Sequence, residues 1–233
     1  MGSSILALST RAMLANTAML QTVSHNISNA NTEGYSRQQV ELATEGGQFS
    51  GAGFFGRGVR IQSVTRSSDQ FLTREANVNL AAASADQARL DKLKQMEKVF
   101  QTGEAGIGYA ASQMLNAFVD VANQPQDLSA RQVALARAQD LVSRAQSAAN
   151  QLDSLQSGVF ADMKTTVAQI NDYAKQIADI NQKIAVVQGN GHSPNDLLDT
   201  RDQLVKELNT KVQVSSKAMA TAPTTCSTPA TNW

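Results

Sequence analysis

From Ala134 to Val187 the apolar residues of this chain recur alternately four and three positions apart, and no proline stands between Pro125 and Pro194 to interrupt them. An α-helix closes a turn every 3.6 residues or about that, so this spacing keeps one face apolar over many turns. The first run is Ala134, Ala138, Leu141, Ala145, Ala148, Leu152 and Leu155. The second is Val159, Met163, Thr166, Ile170, Tyr173, Ile177, Ile180, Ile184 and Val187. Two successive steps of four, Leu155 to Val159 to Met163, join them as a stutter that locally unwinds a coiled coil. Ser129, just past Gln124-Pro125, is placed to cap this helix, and Gly189, Gly191 and Pro194 end it. A rod over 129–188 would run about 90 Å. Residues 195–212 read as a further amphipathic helix through Leu197, Leu198, Leu204, Val205, Leu208 and Val212, which makes an antiparallel pair with the rod. Ile177 and Ile184 are expected to be buried, and Asn181, between seam positions, to tolerate Ala. The predicted class is mainly α: an elongated helical bundle or coiled coil.

At the other end, Leu6, Met13, Leu20 and Ile27 recur seven apart beside a second stripe of Ile5, Ala12 and Met19, with Val23 between. This spacing predicts an amphipathic helix over 5–29. It should stop in Asn26-Ile27-Ser28-Asn29-Ala30-Asn31-Thr32-Glu33-Gly34-Tyr35-Ser36-Arg37-Gln38, where Asn and Thr side chains turn or cap the chain and Gly34 permits positive φ. Gln39 to Leu42 and the alternating Val59 to Val64 then read as two short strands able to pair. The glycine-rich stretch between them lacks the Lys-Ser/Thr that closes a phosphate-binding loop, and reads as a flexible surface loop. Helical patterns resume from Ser67 through Phe100 and over 110–123.

Composition excludes several functions. Lys+Arg 20 balances Asp+Glu 20 with no basic run, which removes the electrostatic drive for nucleic-acid or anionic-membrane binding. No stretch is apolar for long enough to insert in a membrane, and a cleaved signal is not predicted. Met1-Gly2 does not complete a myristoylation signal, since Leu6 stands where Ser or Thr is required. Cys226 lies in the tail, so the body has no thiol for disulfide, metal or nucleophile chemistry. His25 and His192 have no ligand-spaced neighbours and read as solvated. Asp196, Asp199 and Asp202 recur every three residues, yet a helix there makes Asp202 and Lys206 an ordinary four-apart ion pair rather than an oxygen cage. No catalytic constellation, metal site or cofactor site is predicted.

Three ordered segments carry a resemblance that covers about residues 3–214. Asn26 to Gln38, with Asn26, Asn29, Asn31, Thr32, Gly34, Tyr35 and Arg37, resembles the Asn-rich, Gly-Tyr-containing motif near the start of bacterial flagellar rod, hook and hook-associated proteins. Glu33 stands where that family commonly has Pro. Gly56 to Leu72 resembles the segment that follows the motif. Asn195-Asp196-Leu197-Leu198-Asp199-Thr200-Arg201-Asp202-Gln203-Leu204-Val205 is similar to a run of the hook-associated protein 1 family, whose members form the hook–filament junction. The resemblance implies a structural, non-enzymatic subunit, secreted by the flagellar type III export apparatus with a chaperone and built into the extracellular flagellum. It also implies self-association in a helical layer, with the hook protein and hook-associated protein 3 as neighbours. Leu6, Met13, Leu20, Val23 and Ile27 would be its assembly face. A rod or hook protein would share the Asn-rich motif, and a coiled-coil binding module would explain the seams alone.

The expected organisation is an axial helix and Asn-rich motif over 1–38, a β and glycine-rich region over 39–66, a helical bundle over 67–213, and a tail over 214–233. From Ser215 the composition shifts to Ala, Thr, Ser and Pro, and the codons of Lys217 to Ser227 read out of frame are compatible with a strand-forming run, so this tail is expected to be non-native or frameshifted. Residues 1–30 are expected to stay disordered in the isolated chain, since a lone helix of that length is marginal in water; folding back on the 67–100 helix is the alternative.

Overall fold

The computed structural model describes residues 2–51, 53–191, 193–219 and 222–227. Among the described residues five α-helices follow in order: α1 (Gly2–Ser28), α2 (Gln70–Val99), α3 (Ile107–Asn123), α4 (Leu128–Gly189) and α5 (Asn195–Asn209). The strands are β1 (Gln38–Thr44), β2 (Gln48–Ser50), β3 (Gly53–Phe55), β4 (Val59–Arg66), β5 (Ser215–Met219) and β6 (Ala222–Ser227), paired as three antiparallel two-stranded sheets. The mainly α class is as the periodicities predicted. His192 lies outside the described residues, as do Ala220, Thr221 and 228–233 of the tail.

The chain forms two compact units, Met1–Ala82 with Ile170–Trp233, and Ala83–Gln169. In the first, β1 and β4 pair from Gln38↔Arg66 to Thr44↔Val59, with a register shift between Glu41 and Leu42. The pairing expected across the glycine-rich stretch is therefore present, and it is longer than the sequence suggested. That stretch is not a plain loop: β2 and β3 form a hairpin of their own, in which Phe49 stands opposite Phe54. Glycines at its ends hid the strand pattern. Ile177 of α4 packs with Val205 and Leu208 of α5 and with Val214, flanked by Ile170, Tyr173, Leu204 and Val212. This is the helix pair the seam demanded. The side chain of Asn209 closes the end of α5, donating to Val205 O and accepting from Val214 N–H.

α1 differs from expectation. It is helical, and it lies against β1 and β4 rather than standing without a partner. Its docked face is mainly Arg11, Ala15, Ala18, Thr22, Asn26 and Asn29, small and polar residues spaced four, three, four, four and three, with the half-buried Met19 at its edge. The sheet supplies a surface that an apolar-stripe reading could not see.

In the second unit the buried residues include Ala110 and Ala117 of α3 and Ala134 and Ala148 of α4, small side chains suited to close helix packing. Arg144 pairs with Asp140 and donates to Glu104 O and Gly106 O, holding the turn before α3. The first seam residues are buried or half-buried except Ala145, and of the second run only Met163 is exposed. Two steps of four carry Met163 about 80° around the helix from Leu155, off the packed face. Caps also differ. Asp127, not Ser129, caps α4 by accepting from Ser129 N–H at 2.8 Å, and Asp69 caps α2 by accepting from Phe71 and Leu72 N–H. α3 begins three residues before the expected 110, and α5 ends at Asn209 rather than 212.

Candidate functional site

The three motif segments, far apart in sequence, meet in one polar cluster within the first unit. Asn26, on the last turn of α1, donates through Nδ2 to Gln38 O and accepts Gln38 N–H at Oδ1, both at 2.8 Å. Its amide thus mimics a strand neighbour and fixes the loop from 29 to 37 as a closed turn. Tyr35 Oη donates to the same Oδ1 at 2.8 Å and lies 2.9 Å from His25 Nδ1, with the two rings edge to face. His25 is exposed but bonded, not merely solvated. Asn29 donates to His25 O and accepts from Thr32 Oγ1.

α5 closes over this turn. Asn195 Nδ2 donates to Val64 O at 2.7 Å, and Asp196 Oδ1 accepts from Gln38 Nε2 at 2.8 Å. Asp199 accepts Ser36 N–H at 2.9 Å through Oδ2 and the Arg66 guanidinium at 2.8 Å through Oδ1. Arg66 also reaches Asp202 at 2.7 Å, and Arg201 lies against the same carboxylate. Gly34 has φ +79°, and a Cβ there would stand 3.0 Å from Gln203 Oε1, so a side chain would be both strained and crowded by α5. Leu197 and Leu198, on the same turn of α5, are half-buried.

The expected Asp202–Lys206 pair is not formed. Lys206 Nζ instead meets Glu33 Oε1 at 2.8 Å, and Asp202 turns to the arginines. The planar Arg66 guanidinium bridges Asp199 and Asp202 with one nitrogen to each, a geometry that the point charge of an ammonium cannot reproduce. Hydrogen bonding to Lys206, then its charge, holds the Glu33 carboxyl below its ordinary range. The same bond holds the Lys206 ammonium above its own. Burial, then Asp196 and Asp199, pushes the Tyr35 phenol up.

Of the sequence-predicted motif residues, Asn31 and Arg37 point to solvent, whereas Asn26, Asn29, Thr32, Gly34, Tyr35, Asn195, Asp196, Asp199, Arg201 and Asp202 are brought together. Arg66 was not singled out beforehand, Gln38 and Gln203 stood in the motif runs without a role of their own, and Lys206 was assigned to Asp202. The signal for Arg66 was its place inside the second motif segment. An open groove of about 370 Å³ remains between the turn and α5, lined by His25, Tyr35, Asp196 and Gln203 among others. Among the described residues no group of three or more His, Cys, Asp or Glu could hold a metal, and no helix is long and apolar enough to cross a membrane. What the cluster does chemically is clamp: it fixes the exit of α1 to β1, β4 and α5.

The outward face of α1 is the reverse of its docked face. Leu6 (70% exposed), Met13 (73%), Leu20 (71%) and Ile27 (72%) face solvent with Val23, while Ala15 on the opposite side is 2% exposed.

Residues 93–225 match the model of the flagellar hook-associated protein FlgK helical domain. Flagellar hook-associated protein 1 of Salmonella typhimurium is 34% identical over 199 residues, which cover 84% of this chain and 36% of that protein. The Bacillus subtilis protein of the same name is 32% identical over 212 residues, covering 88% of this chain and 42% of that protein. The chain therefore spans well under half the length of these relatives. The solved flagellar hook junction protein FlgK of Burkholderia pseudomallei superposes with a TM-score of 0.60 at 30% identity, over 66% of this chain and 27% of that one.

Proposed function

This chain belongs to the flagellar hook-associated protein 1 family, and from that premise we propose that it is a structural subunit of the hook–filament junction, working by helix packing and not by catalysis. The observation that carries the reading is the inversion of α1. An intramolecular helix normally turns its apolar stripe inward; this one docks mainly small and polar residues, with Met19 at their edge, and presents Leu6, Met13, Leu20, Val23 and Ile27 outward. A contiguous apolar helix face is a cost to a monomer and an interface in a polymer.

In this reading the clamp of Asn26, Tyr35, Arg66 and Asp199 sets the angle at which α1 leaves the rest of its unit, so every subunit offers that face in the same direction. Other copies of the chain cover it, with the hook protein below and hook-associated protein 3 beyond the layer. The subunit reaches the outside through the type III export apparatus with a chaperone. The tail from Ser215 is held to be non-native or frameshifted on its break in composition, and the coding DNA read across Lys217 to Ser227 tests that separately.

The test is placement. The full chain, produced in a flagellated bacterium lacking its own copy, should be labelled by immunogold between hook and filament. A triple variant with Leu6→Asp, Met13→Asp and Leu20→Asp should still be secreted and show the same helical circular dichroism, yet leave the junction unlabelled. Label elsewhere on the flagellum, or a triple variant that still assembles, overturns the reading.

A further inference from the structure

The link from α4 to α5 contains the chain's sole Asn-Gly pair, Asn190-Gly191. Both residues are exposed and lie beyond the end of α4, and Gly191 has φ +78°. We propose that Asn190 is a site of spontaneous deamidation that ages the seat of α5. The main-chain nitrogen of Gly191 bonds to Asn190 Cγ, the Cγ–Nδ2 bond breaks, and the amide leaves as ammonia with the proton of the Gly191 N–H. Water then opens the resulting succinimide to aspartate or isoaspartate. No oxidant, cofactor or second protein is required.

Position sets the selectivity. Asn150, Asn171 and Asn181 lie within α4, where the following nitrogen is locked in the helical ladder and a longer side chain crowds the attack. Asn209 is buried, with its amide committed at both ends. At Asn190 the attacking nitrogen is held only at a fraying helix end, where Asn190 N–H donates to Val187 O at 3.2 Å and Gly191 N–H to Gln188 O at 2.9 Å. Glycine adds no Cβ to hinder ring closure.

The product acts on the clamp. A new carboxylate at the C-terminal end of α4 opposes the partial negative charge of the helix dipole. The isoaspartate route also adds a methylene to the main chain between Gly189, where α4 ends, and Asn195, where α5 begins. Asn195, Asp196 and Asp199 sit on the first turns of α5, so extra slack there loosens their hold on Val64, Gln38 and Arg66.

The full chain, incubated from neutral to alkaline pH, is followed by peptide mass spectrometry with fragmentation that separates isoaspartate from aspartate. Asn190 should convert before any other asparagine and faster as pH rises, because the attacking nitrogen must lose its proton. Gly191→Ala should slow conversion about tenfold, equivalent to about 1.4 kcal/mol on the barrier. Asn190→Gln, which keeps the glycine and its turn, should abolish it and preserve the thermal midpoint of fresh protein after ageing. Conversion of Asn31 or Asn123 ahead of Asn190, or an unchanged rate in Gly191→Ala, overturns the proposal.

Discussion

Arg66 Nη1 lies 2.8 Å from Asp199 Oδ1, with only 9% and 8% of the two side chains exposed, and this pair ties the last residue of β4 to the first turns of α5. A charge pair so thoroughly desolvated contributes little net energy when intact, but removing one partner strands the other. Arg66→Ala should therefore lower stability by about 3–5 kcal/mol in urea unfolding. Arg66→Lys should recover only part of that, because an ammonium cannot fork to Asp199 and Asp202 together. Asp202→Ala should cost less than Asp199→Ala, since Asp202 is more exposed and does not hold Ser36 N–H. An Arg66→Ala shift within about 0.5 kcal/mol would mean the cluster is solvated in solution.

The two faces of α1 should respond oppositely to size. Ala15 is buried against β1 and β4, so Ala15→Leu overpacks that contact and should cost about 1–3 kcal/mol. Leu20→Ala removes a larger side chain from the wet face and should stay within about 0.5 kcal/mol in the monomer. Thermal unfolding of the two variants decides it: a larger loss from Leu20→Ala would reverse the assignment of the faces.

The contrast between rod and clamp explains what could be read from the chain alone. Period and burial coincide along α4, so Ile177 and Ile184 announce themselves by spacing. The clamp works through single atoms of Asn26, Arg66 and Asp199, and nothing in the composition of three remote segments says which side chains face each other. Their joint presence in motif-bearing stretches marked the segments but not the geometry. α1 misled in the opposite way: its apolar stripe dominates the pattern, while the small and polar residues that dock it look like an ordinary solvent face. Lys206 shows the same limit, since local spacing paired it with Asp202 and the fold paired it with Glu33.

Glu33 and Lys206 also make a pH signature. The folded Glu33 carboxyl lies below its ordinary 4.5, so its contribution is present above that value and is lost as pH falls through the lowered folded pKa. The folded Lys206 ammonium lies above its ordinary 10.5, so its contribution is present below 10.5 and is lost as pH rises through the raised value. Tyr35 acts in the same alkaline direction, because burial keeps its phenol protonated past the ordinary 10.0. Both side chains of the ion pair are largely exposed, so salt should weaken the effect. Glu33→Gln should lower the thermal midpoint slightly at neutral pH, and the difference from the parent chain should vanish in acid. A difference that persists in acid would assign it to something other than the charge on Glu33.

The seam and its stutter make the last prediction. Ile177 is buried in the core shared by α4 and α5, so Ile177→Ala should cost about 2–5 kcal/mol through lost transfer energy and the cavity left behind. Gln182 is exposed on the same helix and is a cleaner comparison than the half-buried Asn181; Gln182→Ala should stay within about 0.5 kcal/mol. Met163 decides whether the packed face leaves this end of the second run in solution. By simple heptad counting it is a seam residue equivalent to Ile177, whereas two steps of four rotate it off the packed face and leave it exposed. Met163→Ala should then resemble Gln182→Ala in thermal unfolding followed by circular dichroism. If it instead lowers the midpoint as far as Ile177→Ala, Met163 must pack in the seam as its two-heptad spacing from Ile177 expects, and the exposure seen there would be wrong.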